Sequence, residues 1–146
     1  MKKLLILAVA ALGLTSCGMT TSLYYWGGTQ NEATVYEHLA YKNYDKQTHE
    51  SICKLICMYE DVVTYPGGTR RMPPPGICAE YGYLLLNPEN AEIFAKNATS
   101  MQKRIFSTTD YASFFPEKGK EMMLKEMELY PESAKFIGPL IERLCK

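Results

Sequence analysis

The chain has 146 residues, with 16 Lys and Arg against 16 Asp and Glu, and 47% of its residues are hydrophobic. Zero formal charge leaves no basic excess to neutralise a phosphate backbone, which argues against nucleic acid as a ligand. The length suits one folded domain with a core of ordinary size.

Lys2 and Lys3 precede an eleven-residue apolar run from Leu4 to Leu14, followed by Thr15, Ser16 and Cys17. A charged start, a short greasy core and a small-residue end are the parts of a secretory signal. A spanning helix needs about 20 apolar residues, so this run is too short to cross a bilayer and stay. A cysteine at the cleavage point resembles the lipobox of bacterial lipoproteins, which implies cleavage before Cys17 and acylation of that residue. More than one acyl chain gives a stable anchor. Gly18, in place of an aspartate, implies by the same resemblance the inner leaflet of the outer membrane. The expected organisation is a signal peptide over 1–16, a lipidated Cys17 with an arm over 17–30, and a helical domain over 31–146. The lipid would anchor alone, because no polybasic stretch follows it.

The arm carries Tyr24, Tyr25 and Trp26, the only tryptophan, before Gly27 and Gly28. Such a cluster either forms an aromatic hook for a partner or packs a mobile terminus onto the domain. Asn31 can cap a first helix over about 32–44, with Tyr36, Leu39 and Ala40 inward. Thr48 can cap a second, to about Tyr65, whose apolar set is Ile52, Leu55, Ile56, Tyr59, Val62 and Val63. Pro66-Gly67-Gly68 stops it, and Pro73-Pro74-Pro75 stiffens the linker that follows. Arg70 and Arg71 in that linker are either a solvated loop or a contact for an anionic partner. A third helix runs from about Pro75 to Leu86, with Gly82 at a point where a neighbouring helix comes close. Asn87 caps a fourth that begins at Pro88, with Ala91, Phe94, Ala95, Ala98 and Met101 along one stripe. Pro116 starts a fifth, to Tyr130, with Met123, Met127 and Tyr130 on one face. After Pro131 a last helix carries Phe136, Ile137, Leu140, Ile141 and Leu144, and Pro139 should kink it or delay its start. Alternating strand patterns are scarce, so the predicted fold class is all-α.

Beyond Cys17 the cysteines are Cys53, Cys57, Cys78 and Cys145. Cys53 and Cys57 sit one helical turn apart and do not readily bridge across their own helix; buried thiols are the expectation. A Cys78–Cys145 or Cys53–Cys78 bridge is left open by the sequence. His49, Cys53 and Cys57 have the i, i+4, i+8 spacing of a zinc site but lack an obvious fourth ligand. His38 and His49 are the only histidines, and a thiol nucleophile would need one of them as its base. No Gly-rich phosphate loop, nucleophile elbow or zincin helix is present. The reading is therefore no enzyme, no cofactor and no metal.

Gly82 in Cys78-x-x-Tyr81-Gly82-x-x-Leu85, Gly119, and Tyr130-Pro131 resemble the small and closing positions of a tetratricopeptide unit. A unit of 34 residues beginning at Pro75 closes near residue 106, so Pro131 implies an insert between Leu86 and Pro116. Tyr36-x-x-Leu39-Ala40 echoes the motif upstream. Together with Cys17, Tyr25-Trp26-Gly27, Pro74-Pro75-Gly76, Ala79 to Leu85 and Tyr130-Pro131-Glu132-Ser133, these landmarks resemble a family of small Gram-negative lipoproteins known as a domain of unknown function (the DUF4810 family). The resemblance implies a tetratricopeptide-like lipoprotein, often encoded beside other lipoproteins, one of them similar to the curli secretion channel. It implies no catalytic activity. The expectation is an envelope adaptor that binds other lipoproteins or peptides rather than a small molecule, with Tyr24, Tyr25, Trp26, Arg70 and Arg71 as candidate contacts. The alternatives are a structural or peptidoglycan-associated lipoprotein and a thiol-dependent enzyme.

Overall fold

Thr48 sets up the helix around which the rest of the molecule packs. Its hydroxyl accepts from the Ser51 N–H at 3.1 Å, satisfying one of the free donors of the first turn. In the computed structural model, which describes residues 21–145, the helix this cap opens runs from His49 to Thr64. We call it α2. The expected signal peptide and Cys17 lie outside the described residues.

Before it stand a two-residue hairpin, β1 (Thr29–Gln30) and β2 (Ala33–Thr34), and α1 (Val35–Lys46). After it come α3 (Ile77–Leu86), α4 (Pro88–Asn97), α5 (Ser100–Lys103) and α6 (Tyr111–Leu129). A 3-10 turn over Pro131–Ser133 leads into α7 (Ala134–Leu144). The described residues hold seven α-helices and this single small antiparallel sheet, so the fold is all-α.

Four boundaries differ from the sequence expectation, each for a local reason. Asn31 does not cap α1. It and Glu32 take positive φ of 51° and 67° between the two strands, the geometry of a type I′ hairpin turn that asparagine tolerates. Helix α1 starts instead at a capping box. The Glu37 N–H donates to the Thr34 hydroxyl at 3.1 Å, and the Thr34 N–H donates to the Glu37 carboxylate at 2.8 Å.

The fourth helix ends at Asn97, and a second capping box at Thr99 and Gln102 starts α5 separately. Met101, expected on the buried stripe, is therefore exposed. Helix α6 begins at Tyr111, where Asp110 accepts from the Ser113 N–H at 3.2 Å. Pro116 lies inside it, at the loss of one backbone bond. Pro139 likewise sits within α7 and does not delay its start.

The core runs through α2, α3, α4 and α6. Buried residues of α2 include Leu55, Ile56, Tyr59, Val62 and Val63, each worth about 1.5–3 kcal/mol when taken from water. Ile52 is only partly buried, and Cys53 takes an inward place. The closest helix pair is α3 with α6. A Cβ added at Gly82 would stand 2.6 Å from the Gly119 carbonyl oxygen, and one at Gly119 would stand 2.9 Å from that of Gly82. Only glycine allows backbones so near.

The segment between Leu86 and Pro116 packs α4 against both α2 and α6. Phe94, wholly buried, meets Phe106, Tyr111 and Phe115 edge-on at centroid distances of 5.3, 5.0 and 5.5 Å. These are favourable ring geometries. Helix α7 is covered only in part: Ile137 is buried, whereas Phe136 of the same apolar stripe is 67% exposed.

Candidate functional site

The segment from Ser22 to Gly28 is laid on the domain by its backbone. The Thr69 and Arg70 N–H groups donate to the Ser22 and Leu23 carbonyls, each at 3.1 Å. Gly68 allows this approach: with φ at +75°, an added Cβ would lie 2.6 Å from the Leu23 oxygen. Further on, the Tyr36 N–H donates to the Trp26 carbonyl and the Val35 N–H to that of Gly28.

The three arm aromatics then lock in. The Tyr25 hydroxyl donates to Asp61 on α2 at 2.9 Å. Trp26 packs at 5.1 Å on the Tyr36 ring. Tyr24 lies beside Tyr130, whose hydroxyl donates to the Pro73 carbonyl at 2.7 Å. All three side chains are partly buried, so the cluster fastens the arm to the domain and does not project as a hook.

Arg70 and Arg71 are brought beside this arm and are exposed. The Arg70 guanidinium lies 5.7 Å over the Tyr24 ring, a cation–π arrangement. Arg71, at φ 50°, lines a shallow hollow of about 570 Å³ with Ser22, Tyr24 and Tyr25. No carboxylate pairs with either arginine among the described residues. Tyr24, Tyr25 and Arg71 thus share one hollow with Arg70 over Tyr24, whereas Trp26 turns to Tyr36.

Two polar networks were not legible beforehand. Glu80 accepts from the hydroxyls of Tyr36 at 2.9 Å and Tyr59 at 2.7 Å, and Glu60 accepts from Tyr81 at 2.8 Å. Burial first, and the adjoining carboxylate second, push the Tyr36 hydroxyl up to about 12 and hold Tyr59 and Tyr81 protonated too. Rings from Trp26 through Tyr36 and Tyr59 to Tyr81 stand in series above these acids.

The second network centres on Glu126 of α6, which is 2% exposed. Its carboxylate accepts from the Gly76 N–H at 2.7 Å and the Cys78 N–H at 3.2 Å. It thereby caps α3, whose own capping residue has no side chain. Burial raises this carboxyl, and the backbone donors at Gly76, Ala79 and Cys78 oppose the rise.

The four cysteines within the described residues are free thiols, so neither of the bridges left open by the sequence forms. Cys53 and Cys78 are buried, and burial pushes the Cys57 and Cys78 thiols up to about 12. A nucleophilic thiol needs the opposite shift. His49 lines an outer hollow beside Asn90 and Ile93, and His38 a separate one between α1 and α2. Among the described residues, no group of three or more His, Cys, Asp or Glu could hold a metal ion. No helix there is long and apolar enough to cross a membrane.

The fold and surface define an all-α chain with an aromatic arm strapped to its helices. Compared with known proteins, it matches no family model, no curated protein and no solved structure.

Proposed function

We propose that this protein is a lipoprotein, acylated at Cys17 and held at the periplasmic face of the outer membrane. There its helical-hairpin domain acts as a non-catalytic adaptor for other envelope proteins. The partners are other lipoproteins or peptides of a secretion or envelope-assembly system, as the resemblance to the DUF4810-type lipoproteins implies.

The observation that carries the adaptor reading is the mutual Gly82–Gly119 approach of α3 and α6. It is the contact expected at the small positions of a tetratricopeptide-like hairpin, an architecture suited to protein contacts. The incompletely covered stripe of α7, with Phe136 exposed, supports it as well. The raised thiols of Cys57 and Cys78 weigh against the alternative of a thiol enzyme.

Epitope-tagged protein, extracted from membranes in mild detergent, tests the reading. The expected result is recovery with a stoichiometric envelope partner, lost when Phe136 is replaced by Asp. Repeated recovery of the bare monomer counts against it.

A further inference from the structure

The position of Arg70 and Arg71 has a consequence for how the molecule sits on a membrane. The arm is tied to the loop at Thr69 and Arg70 from Ser22 onward. Only four residue steps separate Cys17 from Thr21. A fully extended chain spans at most about 3.3–3.6 Å per residue, so acyl chains on Cys17 would hold Thr21 within about 14 Å of the lipid surface.

The first groups of the folded domain that such a tether presents are then those around Ser22, Leu23 and the Gly68–Arg71 loop. Leu23 is 58% exposed there. Both guanidinium groups are exposed and lack a carboxylate partner among the described residues. Two acids on this side are otherwise engaged: Asp61 accepts from Tyr25, and Glu126 is buried on the α3 backbone. Surface potential of an anionic leaflet falls off within a Debye length, about 8 Å at physiological salt. About 14 Å is the fully extended limit, and a tether short of full extension brings the two arginines into that range.

We propose that the Arg70–Arg71 loop is the face this protein turns to anionic phospholipid headgroups. The acyl chains anchor, and the two arginines orient the domain so that this loop, with Leu23 beside it, faces the bilayer. This rests on the lipoprotein reading of Cys17.

The test uses the intact lipidated protein, without partner, in vesicles of phosphatidylcholine alone or with phosphatidylglycerol. Phenylglyoxal labels accessible arginines, and peptide mass spectrometry reads each one. Arg104 and Arg143, both exposed, are internal references. In the phosphatidylglycerol vesicles, labelling of Arg70 and Arg71 is expected to slow about fivefold relative to the references, the factor for one kilocalorie per basic residue. It should return to the phosphatidylcholine rate in about 1 M salt, where the Debye length is about 3 Å. Equal rates in the two lipids overturn the proposal, as does slowing shared by all four arginines. The same spectra report the N-terminal peptide. An unacylated Cys17 overturns the lipoprotein reading itself, whereas acylated Cys17 with freely labelled Arg70 and Arg71 overturns the orientation alone.

Discussion

Glu126 shows how one side chain can hold two helices in register. It lies on α6 yet satisfies backbone donors at the start of α3, where Gly76 offers no side chain of its own. Replacing it with Gln keeps the shape but sets an amide donor against backbone N–H groups. The expected cost is about 1–3 kcal/mol, read as a lower urea midpoint. Its pH dependence has a definite sign. Burial raises the folded-state carboxyl above its ordinary 4.5, so its favourable contribution is full below that value and declines as pH rises through the folded pKa. The gap between wild type and Glu126→Gln should therefore be wider at pH 4 than at pH 8. A gap that widens with rising pH would mean that the backbone donors outweigh desolvation. The thiols give a second prediction at this scale. With Cys78 fully buried and the Cys57 and Cys78 thiols pushed up to about 12, iodoacetamide at pH 8 should modify Cys145 well before Cys53, Cys57 or Cys78. Peptide mass spectrometry of the native and urea-unfolded protein checks this order, which should vanish on unfolding.

Pairing of elements depends on positions where side chains are absent as much as on those where they pack. Gly82→Ala gains about 1 kcal/mol of helix propensity but drives a methyl group to 2.6 Å from a backbone oxygen of α6. Backbone cannot move aside as a flexible side chain does, so overpacking of about 1–3 kcal/mol is expected to outweigh the gain. Denaturation of Gly82→Ala and Gly119→Ala, alone and together, should show less than additive losses, because the first separation of the helices relieves the second clash. Gly82 was legible in the sequence because a glycine inside an apolar helix has few other reasons to be there. Thr48 and the pair Asn87-Pro88 were legible for the same kind of reason, since capping chemistry is local. Asn31 misled, because a turn-favouring residue suits a hairpin as well as a helix cap and the chain nearby decides. Pro116 misled because Asp110 caps the helix a turn earlier and tertiary burial of Tyr111 and Phe115 outweighs one lost hydrogen bond. The tyrosine–carboxylate network was out of reach: Tyr36 and Glu80 are 44 residues apart, and only packing of α1 beside α2 and α3 unites them.

For the whole molecule, the forces that attach it and those that align it differ by an order of magnitude. Burial of a lipid chain is worth about 0.8 kcal/mol per methylene, whereas a basic side chain near an anionic leaflet is worth about 1 kcal/mol. Under the proposed acylation, the lipid decides whether the protein is on the membrane, and Arg70 and Arg71 decide only which face it presents. Cys17→Ser removes the first without touching the second. The arm from Ser22 to Gly28 is secured by its own bonds to Thr69, Arg70, Asp61 and Tyr36, so the variant should fold with unchanged helical circular dichroism. Fractionation of cells expressing each form is the measurement. Wild-type protein should stay in the membrane pellet through a high-salt wash, and Cys17→Ser should move to the soluble fraction even at low salt. Release of wild type by salt would make attachment electrostatic, and retention of Cys17→Ser would place the anchor in a bound partner instead of a lipid.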